Sequence, residues 1–239
     1  MRNKFASTKM SSSISLVIPV HNEEKIISAN IPVLVSCMES LGQEFSIVLV
    51  ENGSIDRKLD LARECAKKDP RVIAFTIDKK SLGDALREGF LKAPGDILIW
   101  YPIDLSVDLS YIKDSLELIQ TNDIVIGSKD MPGSKDDRSH SRRLYSKFYN
   151  TMVNILFGLG IYDTQCVKTF RKDSIVPLVN EARSGGIVFE VELLYLAKKK
   201  GLTVKEIPVI VIDRRPDSKI KYKDILKAFT DLLALRLRV

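Results

Sequence analysis

Apolar residues along this chain fall into two alternating rhythms. Short continuous runs rich in β-branched residues, SISLVIPV (13–20), FSIVLVENGS (45–54), RVIAFTID (71–78), GDILIWYPID (95–104) and DIVIGS (123–128), read as strands. Between them lie segments whose apolar residues recur every three or four positions, at 22–41, 56–68, 83–93 and 110–120, which predicts helices. Asn22 is a candidate N-cap for the first helix, with acids in its first turn, and Pro32 kinks or splits it. Strands that are apolar throughout, rather than alternating, belong to a sheet covered on both faces. Strand and helix in strict alternation predict an α/β fold: an open, mostly parallel sheet with helices on both faces.

After residue 128 the rhythm changes. SHSRRLYSKFYNTMVNILFGLG (139–160) predicts a long helix ending at glycine, with Leu144, Phe148, Met152, Ile155 and Leu156 along one face and Arg142, Arg143 and Lys147 at its start. A helix over 189–201, a strand over 203–212 and an amphipathic helix over 221–238 follow. No stretch is rich enough in Gly, Pro or Ser to be a linker. The organisation expected is therefore a polar, flexible tail over 1–13, one domain over 14–220 and a C-terminal amphipathic helix over 221–239. Both late helices carry basic residues beside an apolar face, a pattern that suits the interface of a bilayer as well as packing on the domain.

Composition narrows the picture. Three cysteines at wide spacing argue against a disulfide framework and fit a reducing compartment; nothing resembles a zinc motif. The tail lacks the apolar core of a signal peptide, and no run reaches the roughly 18 apolar residues of a membrane span. The net charge of +6 is local: 129–147 sets six cations against three carboxylates, and 212–239 sets eight against four. Such patches suit an anionic membrane surface or a phosphate. Nucleic acid is not an expected partner, because the aromatic and basic interleaving of single-strand binders is missing.

Ligands of open parallel sheets bind beyond the carboxyl ends of the strands. Those ends supply Pro19, Asn22, Glu23, Glu51, Asn52, Asp78 and Asp104, a rim of carboxylates and amides. No GxGxxG follows the first strand and no GxxxxGK[ST] occurs, which sets aside dinucleotide and P-loop chemistry. The rim fits a ribose, a base edge and a metal-bound diphosphate. Asp104 stands alone, with Pro102 two residues before it. The alternative is that it only caps the turn into the 108–120 helix.

The order VIPVHNEE, VLVENGSID, GDALREGF, GDILIWYPIDLS, VIGSKDMPGS, SRRLYSKFYN, FGLGIYDTQC, FEVELLYLAKKKG and EIPV resembles the family 2 inverting glycosyltransferases of the GT-A fold. Within them it is most similar to the dolichyl- or polyprenyl-phosphate glucosyl- and mannosyltransferases, over roughly residues 14–220. The resemblance implies that Pro19, Asn22, Glu23, Glu51, Asn52, Ser81, Gly83 and Asp104 bind the donor. It makes Asp104 the last acid of an Asp-x-Asp motif whose first acid is replaced by Pro102, and so a weakened ligand for Mg²⁺ or Mn²⁺. Lys129, Arg142, Arg143 and Lys219, the last in a Ser218–Lys219 pair, match positions that grip the acceptor phosphate. Asp163 and Gln165 lie near the sugar, and Glu190 and Glu192 match an acidic pair facing the cleft, with Glu190 and Asp104 the catalytic candidates. DTQCVKTF is one residue shorter than the family's usual form, and Ser81-Leu82-Gly83 stands where Gly-x-Gly is usual.

The implied activity is transfer of a hexose from a nucleotide sugar, UDP-glucose or GDP-mannose, to a dolichyl or polyprenyl phosphate with inversion. The implied setting is the cytoplasm, peripheral on the cytoplasmic face of a membrane. Two alternatives stay open: a catalytically impaired domain kept for binding or regulation, and a transferase acting on a sugar or protein hydroxyl, with Glu190 as the base.

Overall fold

The computed structural model describes residues 12–21, 24–53, 64–78, 81–214 and 222–239. Residues 1–11 of the expected tail, Asn22, Glu23, most of the 56–68 helix and the Ser218–Lys219 pair lie outside the described residues; Ser13, at the tail's expected end, bonds to Asp96, and 64–68 are helical. Nine strands are described: β1 Ile14–Val20, β2 Phe45–Asn52, β3 Val72–Ile77, β4 Ile97–Trp100, β5 Ile124–Ser128, β6 Lys135–Asp136, β7 Lys168–Arg171, β8 Val204–Pro208 and β9 Ile210–Val211. The helices with described bounds are α1 Glu24–Ser40, α2 Leu82–Lys92, α3 Ser110–Leu118, α4 His140–Phe157, α5 Lys172–Glu181, α6 Val188–Lys199 and α7 Tyr222–Arg238.

Seven strands form one sheet in the order β3-β2-β1-β4-β7-β5-β8. All neighbours are parallel except β7, which runs antiparallel between β4 and β5. Each central strand buries both faces. Leu16, Ile18, Ile47, Leu49, Ile97 and Ile99 enter one core, while Val17, Val48, Val50 and Leu98 enter the other. A period of two with apolar residues on both faces is why the sequence shows unbroken apolar runs. Gly89 lets α2 lie against the sheet, because a Cβ there would stand 2.4 Å from Val17 Cγ1.

Three sequence expectations need correction. Strand β7 and helix α5 were not anticipated, because Lys168-Thr169-Phe170-Arg171 is short and half polar and Pro177 lies inside the helix that follows. The single strand over 203–212 is broken: Pro208 has no N–H to extend the ladder, and β9 turns away to pair with β6. The expected strand over 95–104 stops at Trp100, where the chain leaves the sheet for a turn through Pro102–Asp104.

The two late helices pack against each other, and α7 also packs on α6. Helix α4 buries Tyr149, Asn150, Val153 and Phe157 and ends at Gly158 with φ 61°. Of the apolar stripe expected on one face, Leu144, Phe148 and Ile155 are exposed, while Met152 and Leu156 pack partly against the core. Helix α7 buries Ala228, Leu232 and Leu235 in the domain core and leaves Leu226, Phe229, Leu233 and Leu237 outside.

Candidate active site

Two concavities meet beyond the strand ends. The larger, about 1050 Å³, runs from Pro19, His21 and Asn52 past Ser81 to the 183–188 segment and is walled on its far side by α7. The smaller, about 150 Å³, holds Asp104, Lys129, Arg138, Arg142, Asp213 and Arg214. Trp100 and Pro102 line both.

At the head of the large cavity, Asn52 is buried at the end of β2 and its Oδ1 has no partner among the described residues. Leaving such an atom unmatched costs about 1–3 kcal/mol, so its placement on a cavity wall points to a ligand donor. His21 Nδ1 lies 3.0 Å from the Asn52 carbonyl, so Nδ1 carries the proton in that contact. Glu51 is buried next to Asn52, flanked in the sheet by Val20 and Thr76. Ser81 caps α2: its Oγ accepts N–H bonds from Asp84 at 3.2 Å and Gly186 at 3.1 Å. Gly83 is a packing residue, since a Cβ there would stand 2.6 Å from Phe189 Cβ and 2.7 Å from the Gly186 carbonyl.

The 183–186 loop is held from three sides. Arg87 donates to the carbonyls of Val179, Ala182 and Ser184 while its guanidinium lies over the Phe189 ring. Glu192 accepts the N–H groups of Arg183 and Ser184. Arg238, in the last turn of α7, donates to Ser184 Oγ and Glu192 Oε1. Glu192 is therefore an organiser of the cavity wall.

Asp104 sits in the turn after β4. Its Oδ1 accepts the Ser106 N–H at 3.0 Å, and Leu105 between them has φ 51°, unusual for a branched residue. Tyr101 ties the turn down, its N–H donating to Val17 and its hydroxyl to the Val107 carbonyl. Lys129 points into the interior, its Nζ 2.5 Å from Asp163 Oδ2. Burial acts to lower the lysine pKa and raise that of Asp163, but their mutual attraction wins, so the lysine is shifted up and the carboxyl down. Arg142 Nη1 donates to Asp213 Oδ1 at 2.7 Å, and Arg143 is exposed. Gln165 lines the small pocket and donates to the Ile187 carbonyl, linking the two concavities. Cys166 lines it too; burial pushes its thiol up to about 11, so it stays protonated at neutral pH.

Glu190 is buried and paired with Lys168, which also donates to the Cys166 carbonyl at 2.7 Å and lies 4.8 Å from the Trp100 ring centre. Burial raises its pKa against the pull of Lys168. The structure thus brings Glu190 behind Trp100, on the wall of a void of about 10 Å³. Sequence reasoning missed Trp100, Arg138, Arg214, the 183–187 wall and the α7 residues Lys227, Asp231 and Arg238. The basic run held a signal for Arg138; the others adjoin the site only through tertiary packing.

The geometry of a parallel sheet with its cavity beyond the strand ends agrees with the comparisons. Residues 15–177 match the glycosyl transferase family 2 model, and the chain belongs to that family. It is 28% identical over 241 residues to glycosyltransferase AglD of Haloferax volcanii, covering 97% of this chain and 38% of that protein. It is 26% identical to the dolichyl-phosphate beta-glucosyltransferase ALG5C of Trichomonas vaginalis, covering 92% of this chain and 70% of the relative. The fold is GT-A-like. Mannosyl-3-phosphoglycerate synthase from Rubrobacter xylanophilus superposes with TM-score 0.72 at 15% identity, covering 95% of this chain and 74% of that one. Glucosyl-3-phosphoglycerate synthase from Mycobacterium tuberculosis, solved with Mn²⁺, UDP and phosphoglyceric acid, gives 0.69 at 14% identity, covering 94% and 78%.

The donor set fits a divalent ion only thinly. Pro102 offers no side-chain ligand, and no group of three or more potential metal-binding side chains occurs among the described residues. Asp104 remains, its Oδ1 accepting the Ser106 N–H. An ion here would depend on the donor's own diphosphate oxygens to complete its shell.

Proposed function

We propose that this protein transfers a hexose from a nucleotide sugar, UDP-glucose or GDP-mannose, to a polyprenyl or dolichyl phosphate with inversion. The observation that carries the reading is the convergence of Lys129, Arg138, Arg142 and Arg214 with Asp104 in a pocket that shares a wall with the strand-end cavity. The family and its lipid-phosphate relatives support it.

The nucleotide lies at Pro19, Asn52 and Ser81, with the Asn52 amide oxygen accepting from the base or ribose. Asn22, Glu23 and Lys219 keep the donor and phosphate roles that the family resemblance gives them. The lipid phosphate, with a second pKa near ~6, is already ionised at neutral pH and needs no strong base. It needs neutralisation and aim, which Arg138, Arg142 and Arg214 provide, and Lys129 keeps its charge through Asp163. Its oxygen forms the new bond to the anomeric carbon as the bond to the nucleoside diphosphate breaks, and the electron pair leaves with the diphosphate. Charge grows on that leaving group, so electrostatic stabilisation carries most of the rate. When bound, Mg²⁺ or Mn²⁺ adds positive charge there, and Asp104 is the residue that would hold it. Glu190, paired with Lys168 behind Trp100, acts by positioning. The domain spans 14–220 with α7 as an added wall, and it works peripherally on the cytoplasmic face of a membrane.

The test is transfer of radiolabelled hexose to a short polyprenyl phosphate, compared with the same polyprenol and with free sugars. A β-linked lipid-phosphate product, strongly reduced by Asp104→Ala, is expected; turnover only with hydroxyl acceptors overturns the reading. Pro102 favours a second reading, a domain that binds donor without turnover, for which equal negligible transfer by the native chain and Asp104→Ala is the mark.

A further inference from the structure

In any transfer between two concavities, the reacting carbon must sit where they join. Trp100 and Pro102 are the two side chains common to the strand-end cavity and the cation pocket. Pro102 has a small ring and no donor. Trp100 is half-buried at the last position of β4, where the sheet holds its backbone in register with Val17 of β1 and Lys168 of β7. One side of the indole is occupied: Lys168 Nζ lies 4.8 Å from the ring centre, fixed by the Cys166 carbonyl and by Glu190. A buried ion pair packed behind an aromatic ring fixes its orientation, and the ring lines both concavities. Hexoses carry an apolar C–H face, and aromatic faces, negative at the centre, receive such partly positive edges.

We infer that Trp100 is the platform on which the transferred sugar rests, a specificity-determining residue that holds the anomeric carbon at the mouth of the cation pocket. The inference rests on the proposed nucleotide-sugar chemistry and adds which side chain reads the sugar. Lys168 and Glu190 are then positioning residues, acting on the sugar through the ring. The platform favours hexoses whose C–H groups gather on one face.

Trp100 is the only tryptophan of the chain, so intrinsic fluorescence reports on this ring alone. The experiment titrates the native protein with UDP-glucose, GDP-mannose, UDP and GDP, following tryptophan emission and, in parallel, calorimetric binding. The expected result is that one nucleotide sugar changes the emission while its nucleotide, bound in the calorimeter, leaves it nearly unchanged. An equal response to nucleotide and nucleotide sugar overturns the platform, as does calorimetric binding of a nucleotide sugar with no emission change. If no nucleotide sugar binds in the calorimeter, the proposed donor class fails and the platform falls with it. As a second measurement, Trp100→Phe keeps a smaller aromatic face and Trp100→Leu removes it. Affinity for the nucleotide sugar should fall by about twofold to tenfold in the leucine variant and less in the phenylalanine variant. Affinity for the bare nucleotide should stay within about twofold in both, which also shows that the variants are folded. Equal loss of nucleotide and nucleotide-sugar affinity in a variant whose melting temperature is unchanged assigns the ring a merely structural role.

Discussion

At the scale of single residues, the site is a set of charges whose states are held by their neighbours. Asp163 is fully buried, and Lys129, with the Gln165 and Lys129 N–H groups, depresses its pKa against burial. A depressed carboxyl contributes stability that is present above its unfolded value near ~3.9 and is lost as pH falls through the folded value. The Lys129 shift is upward, so its share is present below the unfolded value near ~10.4 and lost only as pH rises through a still higher one. Asp163→Asn should therefore cost about 3–5 kcal/mol at neutral pH, because it strands a buried ammonium, and the variant's deficit should shrink below about pH 4. Melting temperatures of both proteins between pH 3 and 8 check this. Pro102 gives a complementary gain-of-function case. Pro102→Asp would place a second carboxylate near Asp104 and should lower the Mn²⁺ concentration for half-maximal donor binding, on the order of tenfold. Calorimetric titration of UDP-glucose at graded Mn²⁺ reads it; an unchanged Mn²⁺ requirement means the turn does not face the diphosphate.

At the scale of elements, α7 is a wall of the strand-end cavity as well as the helix that ends the described residues. Leu232 is 1% exposed in the core, and Arg238 clasps Ser184 and Glu192. Leu232→Ala should cost about 2–4 kcal/mol in chemical denaturation. Arg238→Ala should cost less stability yet weaken nucleotide-sugar binding, because the 183–186 wall loses one of its three holds. Equal donor affinity in that variant would make α7 a bystander. The elements also show where sequence was legible. Central strands announced themselves because both faces are buried and most of their residues are apolar. Strand β7 did not, since its Lys168 and Thr169 are buried by pairing, with Glu190 and with Ser115 and Tyr111, rather than by being apolar. The strand-end residues Asn52 and Asp104 were legible because turns after parallel strands are where ligands bind. Trp100 read as one more apolar strand residue, and α7 as a separate segment, because their part in the candidate site comes from contacts between positions distant in the chain, 46 and 54 apart for Arg238 with Glu192 and Ser184.

At the scale of the whole molecule, two exposed apolar stripes lie on helices that pack against each other. Leu144, Phe148 and Ile155 lie on α4; Leu226, Phe229, Leu233 and Leu237 lie on α7. Arg143 and Lys147 are exposed beside the first, and Lys223, Lys227 and Arg236 beside the second. No helix among the described residues is long and apolar enough to cross a membrane. Apolar side chains with flanking cations match a bilayer interface, where each cation near an anionic surface adds about 1 kcal/mol. The protein should therefore co-sediment with vesicles containing phosphatidylserine and much less with phosphatidylcholine alone. Raising salt from 0.1 to 1 M shortens the screening length from about 10 to 3 Å and should release most of it. Ile155→Asp and Leu237→Asp, at 72% and 91% exposure, should reduce vesicle binding without lowering the melting temperature. They should also slow transfer to a long polyprenyl phosphate in vesicles while sparing a short acceptor free in solution. Loss of both activities together would place these side chains in the catalytic cavity instead of on a membrane face.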